Sequence, residues 1–329
     1  MLLAKKRNSF YSDKLYEKVS KENKEILEDY ILEMKSTGKS EKTIYQYVAD
    51  IKMFYCYGYN ATNNKSILEL KKRDFRRFFL TLQDNGASSA RINRIQCSLR
   101  NMLEFVTNDD DIYEDYEINV MKGIKGLQKE EVREIFFLSN DQIELIIDKL
   151  IEKKKYQQAL YLAISYESAA RRNEVFQIQK HGFLERNKTN EVIGKRGKKF
   201  QLFYFNRSKE IAEMYFEQRG EDDIDSLWII GRGDKKRPAK YESLYNWTVS
   251  FRKILEKETG EHLEFNPHSY RHSSLEAYET GTHWVLKELG KEKLDINVLK
   301  ALANHESIET TMSYLKNKDE ELLNETFSI

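Results

Sequence analysis

His268, Arg271 and His272 fall within five positions of one another, in the stretch NPHSYRHSSLEAY over residues 266–278. On a helix, spacings of three and four bring all three side chains to one face. Pro267 suits a helix start, where its missing N–H costs nothing. A cationic, imidazole-rich face has three uses: to hold a metal, to grip an anion, or to lie solvated on a surface. The metal use is poorly supported. His268 and His272 have zinc spacing, but no glutamate follows His268, so the zinc-protease pattern is absent. The other histidines are scattered and no cysteine pair adds ligands. No metal and no cofactor are expected.

The anion use gains from three further stretches. In SAARRNEVFQI, Arg171 stands three residues before Glu174, on an otherwise buriable helix. In GKRGKK, Lys195 sits at a hairpin tip. In LANHESIETTMSYL, His305 precedes Tyr314 by nine residues. Taken singly, these are a surface salt bridge, a solvated turn and an aromatic filler. Their order and spacing together are specific.

These residues need elements to position them, and the chain supplies mostly helices. Pro238 and Pro267 are its two prolines, so little interrupts helical runs. Residues 1–22 are polar without clear period and read as a loosely ordered arm. A helix follows from about Lys24 to Lys35, with Leu27, Tyr30, Ile31 and Met34 as its stripe. Ser40 caps a second that carries Ile44, Tyr47, Val48, Ile51 and Phe54. A third carries Phe75, Phe78, Phe79 and Leu82 and stops at Asn85-Gly86. A fourth starts near Ser88 and carries Ile92, Ile95, Leu99, Met102 and Val106. Four amphipathic helices make a bundle. The acidic, glycine-bearing stretch that follows reads as an extended linker. Ser139 then caps a helical region to about Gln179. Short β-type runs flank Gly194–Gly197 as a hairpin, and helices resume to the end with a break near SLWIIGRGDKKRPAK.

Composition sets outer bounds. A length of 329 residues suggests two domains. With 40% hydrophobic and 33% charged residues the chain reads as a highly charged globular protein. The 55 basic and 54 acidic residues nearly cancel, so a nucleic-acid partner would need a local basic surface. Cys56 and Cys97 lie in helical patterns, which fits a reducing compartment and no disulfide framework. No apolar run has the length of a membrane span, and the opening MLLAKKRNSF lacks a signal-peptide core. The expected location is the cytoplasm, in association with the nucleoid.

From the first helix onward the sequence resembles the tyrosine recombinases, the site-specific recombinases of the lambda-integrase and Xer type. AARRNEVFQI resembles that family's first arginine box and selects Arg171, not Arg172. VIGKRGKKFQLFYF resembles the hairpin that carries a catalytic lysine, at Lys195. NPHSYRHS matches the H-x-x-R box, giving His268 and Arg271. LANHESIETTMSYL matches the last box and its nucleophile, giving His305 and Tyr314. There are departures. Ala169 and Asn304 stand where the family prefers glycine, and ETGTHWVLKELGKEKLDINVLK is longer than the corresponding Xer segment.

The resemblance implies a mainly α fold. A four-helix, SAM-like core-binding domain would span residues 23–110, after a flexible arm over 1–22. A linker over 111–137 would lead to a catalytic domain over 138–329, mostly helical with a small antiparallel sheet. The implied enzyme cuts and rejoins DNA through a 3′-phosphotyrosyl bond, without metal or ATP. Arg171 and Arg271 would stabilise the charge on the phosphate. His268 and His305 would add hydrogen bonds or proton transfer, and Tyr314 would attack phosphorus. Lys195 would protonate the leaving 5′-oxygen, and Glu174 would support Arg171. The implied partner is a double-stranded target site, bound by a homotetramer on two duplexes, with no membrane. Lys72, Arg73, Arg76 and Arg77, with Arg91 and Arg94, are the candidate phosphate contacts of the first domain, and Arg100 adds to them. Leu322, Leu323 and Phe327 form a tail that would dock on a neighbouring protomer. The alternatives are a type IB topoisomerase-like nicking enzyme and a DNA-binding protein without catalysis.

Overall fold

Serines start the first helices. The hydroxyls of Ser20, Ser40 and Ser88 accept the amides of Asn23, Thr43 and Arg91. The helices so begun are α2 (Lys21–Ser36), α3 (Glu41–Ala61) and α5 (Ser89–Thr107), after a short α1 (Asp13–Tyr16). Between them α4 (Lys72–Asp84) is capped from its own first turn, with Asp74 Oδ2 accepting the Lys71 amide at 2.9 Å. The computed structural model describes residues 10–109, 111–128, 135–183 and 187–315. It divides into two units, Met1–Arg133 and Glu134–Ile329. Among the described residues no helix is long and apolar enough to cross a membrane.

The first unit closes over the stripes that the helical period picks out. Ile51, Phe75, Phe78, Leu82, Ile92, Ile95, Leu99, Met102 and Val106 have no measurable exposure. Phe54 stacks on Phe75 and meets Phe78 edge-on, both at 5.0 Å between ring centres. Each such aromatic contributes roughly 1.5–3 kcal/mol by leaving water. Both cysteines are free thiols.

Two expectations need correction here. The arm is not loose over its described part: Phe10 packs on Tyr57 at 5.3 Å, and Val19 is buried. Residues 111–128, read as extended linker, belong to this unit. Met121 and Ile124 are buried at a 3-10 turn over Val120–Gly123, and side chains of the bundle bond the backbone around them. Arg100 Nη2 donates to the Ile124 carbonyl at 2.9 Å. The Asn93 carboxamide takes both the amide and the carbonyl of Leu127, at 2.7 and 2.9 Å. The acidic run over residues 109–117 and the glycines at 123 and 126 mask the apolar positions Val120, Met121, Ile124 and Leu127, so the sequence hides this packing.

The second unit is built round α7 (Tyr156–Glu167), buried continuously from Ala159 to Glu167. A helix apolar on every side must lie inside. Around it pack α6 (Asn140–Glu152), α9 (Asn206–Arg219) and α11 (Pro267–Thr280). The helical run expected to reach Gln179 breaks after α7. Ala169 takes φ +50° and the chain restarts as α8 (Arg172–Phe176). Then β1 (Lys188–Ile193) pairs antiparallel with β2 (Lys199–Phe203), Ile193 opposite Lys199. A second two-stranded piece, β3 (Ile229–Ile230) with β4 (Arg237–Pro238), accounts for the break near residue 230. The chain continues as α10 (Tyr241–Thr259), α11, α12 (Val285–Leu289), α13 (Ile296–Leu302) and α14 (Ile308–Met312). The docking tail at Leu322, Leu323 and Phe327 lies outside the described residues.

Candidate active site

Arg171 is the N-cap of α8, and Glu174 binds it twice. Glu174 Oε2 accepts the Arg171 amide at 2.7 Å, and Oε1 accepts its Nη1 at 3.0 Å. Glu174 is buried and the guanidinium half-exposed, so the pair fixes one fork edge of Arg171 and leaves the rest free. Arg172 turns elsewhere: its guanidinium lies 4.0 Å from the Tyr241 ring centre.

α11 carries the histidine–arginine cluster. Asn266 caps it, Pro267 occupies the first turn, and His268 follows at once. Arg271 is buried, which an unpaired cation would not tolerate. Its Nη1 donates to the Ala169 carbonyl at 2.6 Å, and its Nη2 to the Ala303 carbonyl at 2.5 Å. Nη2 also donates to His305 Nε2 at 2.6 Å. Both carbonyls are presented by turns in the left-handed region or next to it: Ala169 has φ +50° and Asn304, after Ala303, has φ +51°. The left-handed conformation costs an L-residue with a Cβ roughly 1–2 kcal/mol, and asparagine tolerates it better than most. The two departures from glycine therefore fall where the backbone is bent to hold Arg271. Burial and the nearby Arg171 charge lower the Arg271 pKa to about 10. Among the described residues Arg271 Nε is buried without a hydrogen-bond partner.

The bonds of His305 define its tautomer. A guanidinium only donates, so Nε2 is the acceptor and Nδ1 carries the proton, which it gives to Thr311 Oγ1 at 3.0 Å. Burial, Arg271 and Arg171 depress its pKa to about 3, so the ring is neutral. His268 is depressed to about 4 by its partial enclosure, then by His272, Arg271 and Arg171.

Tyr314 lies among these groups. Its ring centre is 5.1 Å from that of His268, 4.4 Å from His272 and 4.8 Å from His305. The Arg271 guanidinium carbon is 5.1 Å away. His272 does more for Tyr314 than its place beside the H-x-x-R box suggests. It stacks on the ring, and its Nδ1–H donates to the Tyr314 carbonyl at 3.0 Å. Tyr270, the other tyrosine near the box, is fully buried.

Lys195 is exposed, in the turn between β1 and β2. The backbone just before it approaches the arginine box: a Cβ on Gly194 would lie 3.5 Å from Glu174 Oε1. The arrangement thus brings Arg171, Glu174, His268, Arg271, His305 and Tyr314 into one cluster, with the Lys195 turn at its edge. Among the described residues no three His, Cys, Asp or Glu side chains are grouped as metal ligands.

The basic residues of the first unit divide. Lys72, Arg73, Arg76 and Arg77 are exposed along α4, opposite its buried phenylalanines, and Arg91 is exposed on α5. Arg94 departs from the expectation of a free phosphate contact. Its Nη2 is held by the buried Asp50 carboxylate at 2.9 Å, with Ser98 on the other oxygen. Arg100 likewise serves the backbone of residues 121–124. Their helical spacing matched that of the surface cations, so only the partner could distinguish them.

The second of two mainly helical units gathers two arginines and three histidines about one tyrosine, an arrangement of fixed hydrogen-bond donors beside a phenol. The chain belongs to the phage integrase family: the pattern described as "Phage integrase family" matches residues 136–321. The "Phage integrase, N-terminal SAM-like domain" matches residues 27–109. One relative is the SPbeta prophage-derived recombinase-like protein YomM of Bacillus subtilis (strain 168). It is 25% identical over 333 residues, covering 96% of this chain and 94% of the relative. The tyrosine recombinase XerA of Pyrococcus horikoshii is 23% identical over 298 residues, covering 89% and 90%. Among solved structures, a lambda integrase dimer bound to a COC′ core site superposes with a TM-score of 0.65 at 14% identity, covering 90% of this chain and 77% of that one. XerH site-specific recombinase in a post-cleavage complex with palindromic difH substrate gives 0.64 at 17% identity, covering 87% and 79%. These likenesses show a shared fold.

Proposed function

We infer that the chain is a tyrosine site-specific recombinase, an enzyme that cuts and rejoins DNA strands. The observation that carries the reading is the position of Tyr314, with three imidazoles and the Arg271 guanidinium within 5.1 Å of its ring centre. A phosphodiester repels nucleophiles by its charge, and fixed donors lower that barrier. Arg171 has donors left over from Glu174. Among the described residues Arg271 keeps a buried Nε without a partner, a cost of roughly 1–3 kcal/mol that a phosphate oxygen would relieve.

The Tyr314 hydroxyl then attacks phosphorus and gives its proton to the neutral His268. The bond to the 5′-oxygen breaks, and Lys195 protonates that oxygen as it leaves. The 3′-phosphotyrosyl bond retains the energy of the broken diester, so a second 5′-hydroxyl can reverse the step and join a new partner. Exposed Lys72, Arg73, Arg76, Arg77 and Arg91 would hold flanking phosphates. The working form would be a homotetramer on two duplexes, Xer-like and cytoplasmic. Lambda integrase, a neighbour in fold, has been solved as a tetramer bound to a Holliday junction.

The test is covalent capture followed by exchange. The protein is incubated with fragmented DNA of the genome that encodes it, in EDTA and without ATP, and protein-linked ends are sequenced. The ends should converge on one site, and two duplexes bearing that site should give reciprocal recombinants. Dispersed ends with relaxation and no exchange would make it a topoisomerase-like enzyme. Tight binding with no linked ends would make it a binding protein.

A further inference from the structure

The turn that carries Lys195 has little of its own to hold it in place. Among the described residues its two short strands pair with each other. Val192 and Leu202 anchor them in the core, but residues 195–199 beyond that anchor are exposed, and two strands alone are at best marginally stable in water. A proton donor must nevertheless be placed to within a fraction of an ångström of its target. The outer edge of β1 shows what supplies the order. Ile193, its last residue, turns its amide and carbonyl away from β2 and towards Gln177. The Ile193 amide donates to Gln177 Oε1 at 2.9 Å, and the Ile193 carbonyl accepts from Gln177 Nε2 at 2.9 Å. One carboxamide satisfies both backbone groups, as a neighbouring strand would.

Gln177 is itself held. Its Nε2 also donates to the Asn173 carbonyl, one turn back, at 2.9 Å. It is the C-cap of α8, the helix whose N-cap is Arg171. Gly194 follows Ile193 and packs so closely that a Cβ there would lie 2.7 Å from the Phe200 ring and 3.5 Å from Glu174 Oε1. The chain of contacts therefore runs from Arg171 and Glu174 through Gln177 to Ile193, two residues before Lys195. On its other side the turn has a looser tie. Arg196 Nη1 reaches both carboxylate oxygens of Glu306, next to His305, at 2.6 and 2.8 Å. That pair is about 70% exposed on each side, and exposed pairs hold weakly.

We propose that Gln177 is a positioning residue for Lys195, fixing the lysine turn in register with the arginine that holds the phosphate. The proposal rests on the reading of Lys195 as the general acid. It touches neither substrate nor reacting atoms, so its effect must be confined to the step that Lys195 performs.

Single-turnover cleavage is measured on two substrates: ordinary DNA, and DNA whose bridging 5′-oxygen at the cleavage site is sulfur, which leaves without a proton. Gln177→Ala should slow cleavage of ordinary DNA about 10-fold or more, the scale of a small misplacement. It should cleave the sulfur substrate at nearly the rate of the unaltered protein, which also shows that the variant is folded. Gln177→Glu keeps the acceptor for the Ile193 amide but loses the donor, and should fall between. Adding Gln177→Ala to Lys195→Ala should cost nothing further on ordinary DNA. Equal loss on both substrates, or no loss on either, would overturn the proposal while Lys195→Ala is still rescued by sulfur. If sulfur fails to rescue Lys195→Ala, Lys195 is not the acid, and the reading beneath the proposal falls with it.

Discussion

Arg171→Ala and Arg271→Ala should both abolish most cleavage, yet differ sharply in what they do to the fold. Arg271 is enclosed. Removing it strands the Ala169 carbonyl, the Ala303 carbonyl and His305 Nε2. Each stranded buried acceptor costs roughly 1–3 kcal/mol. The relief of a desolvated cation offsets part of that. Breaking such a buried cluster from one side typically costs about 3–5 kcal/mol. For a unit of this size, 1 kcal/mol moves the melting temperature by roughly 2–4 °C, so a fall of about 10 °C is expected. Arg171 is half-exposed and its partner Glu174 still caps the Arg171 amide in the variant. One buried acceptor, Glu174 Oε1, is stranded there against three for Arg271, so the loss should be about a third as large. Arg271→Lys should behave almost like the alanine variant, because one ammonium cannot span three acceptors set out for a fork. Thermal unfolding by calorimetry or circular dichroism, without DNA, reads the difference directly. A melting temperature for Arg271→Ala within about 2 °C of the unaltered protein would refute the assignment of the buried fork, whatever happens to activity.

The second unit should lose stability in mild acid. His283 and His305 are held neutral, each near a pKa of about 3, and His272 is also depressed. The unfolded chain protonates these rings below about pH 6.5, so stability is lost as pH falls. Burial raises Glu167 to about 7, which works the opposite way between its unfolded value and 7. The net near pH 5 is at least one proton, about 1.4 kcal/mol per pH unit, and a melting temperature that rises from pH 7 to pH 5 would contradict it. Arg172→Ala should keep cleavage within a few-fold, since Arg172 stacks on Tyr241. A defect equal to that of Arg171→Ala, in the same cleavage assay, would shift the arginine register by one.

Much of this architecture could be read from the chain. The 3.6-residue stripes, with serines at positions 40 and 88, marked the four long helices of the first unit, and the chemistry-bearing boxes met in one place because each begins or ends an element. Three things were hidden. The turn after α7 looked like uninterrupted helix, because alanine at residue 169 gives no sign of a positive φ. The packing of residues 111–128 depends on the Asn93 and Arg100 side chains reaching backbone groups, which no periodicity encodes. Arg94 and Gln177 have the composition of surface residues, and only their partners, Asp50 and the Ile193 backbone, reveal what they do. His272 was visible by spacing but not by role, since its contact with Tyr314 spans 42 residues.

Tyr314 is expected to form the covalent bond to DNA. A nicked suicide duplex carrying the captured site traps the adduct. Proteolysis and mass spectrometry of the linked peptide then identify the residue that bears the nucleotide. The phosphodiester should sit on Tyr314, and Tyr314→Phe should bind the same duplex with unchanged affinity and give no adduct. A nucleotide on any other side chain, or an adduct that survives Tyr314→Phe, would contradict the account.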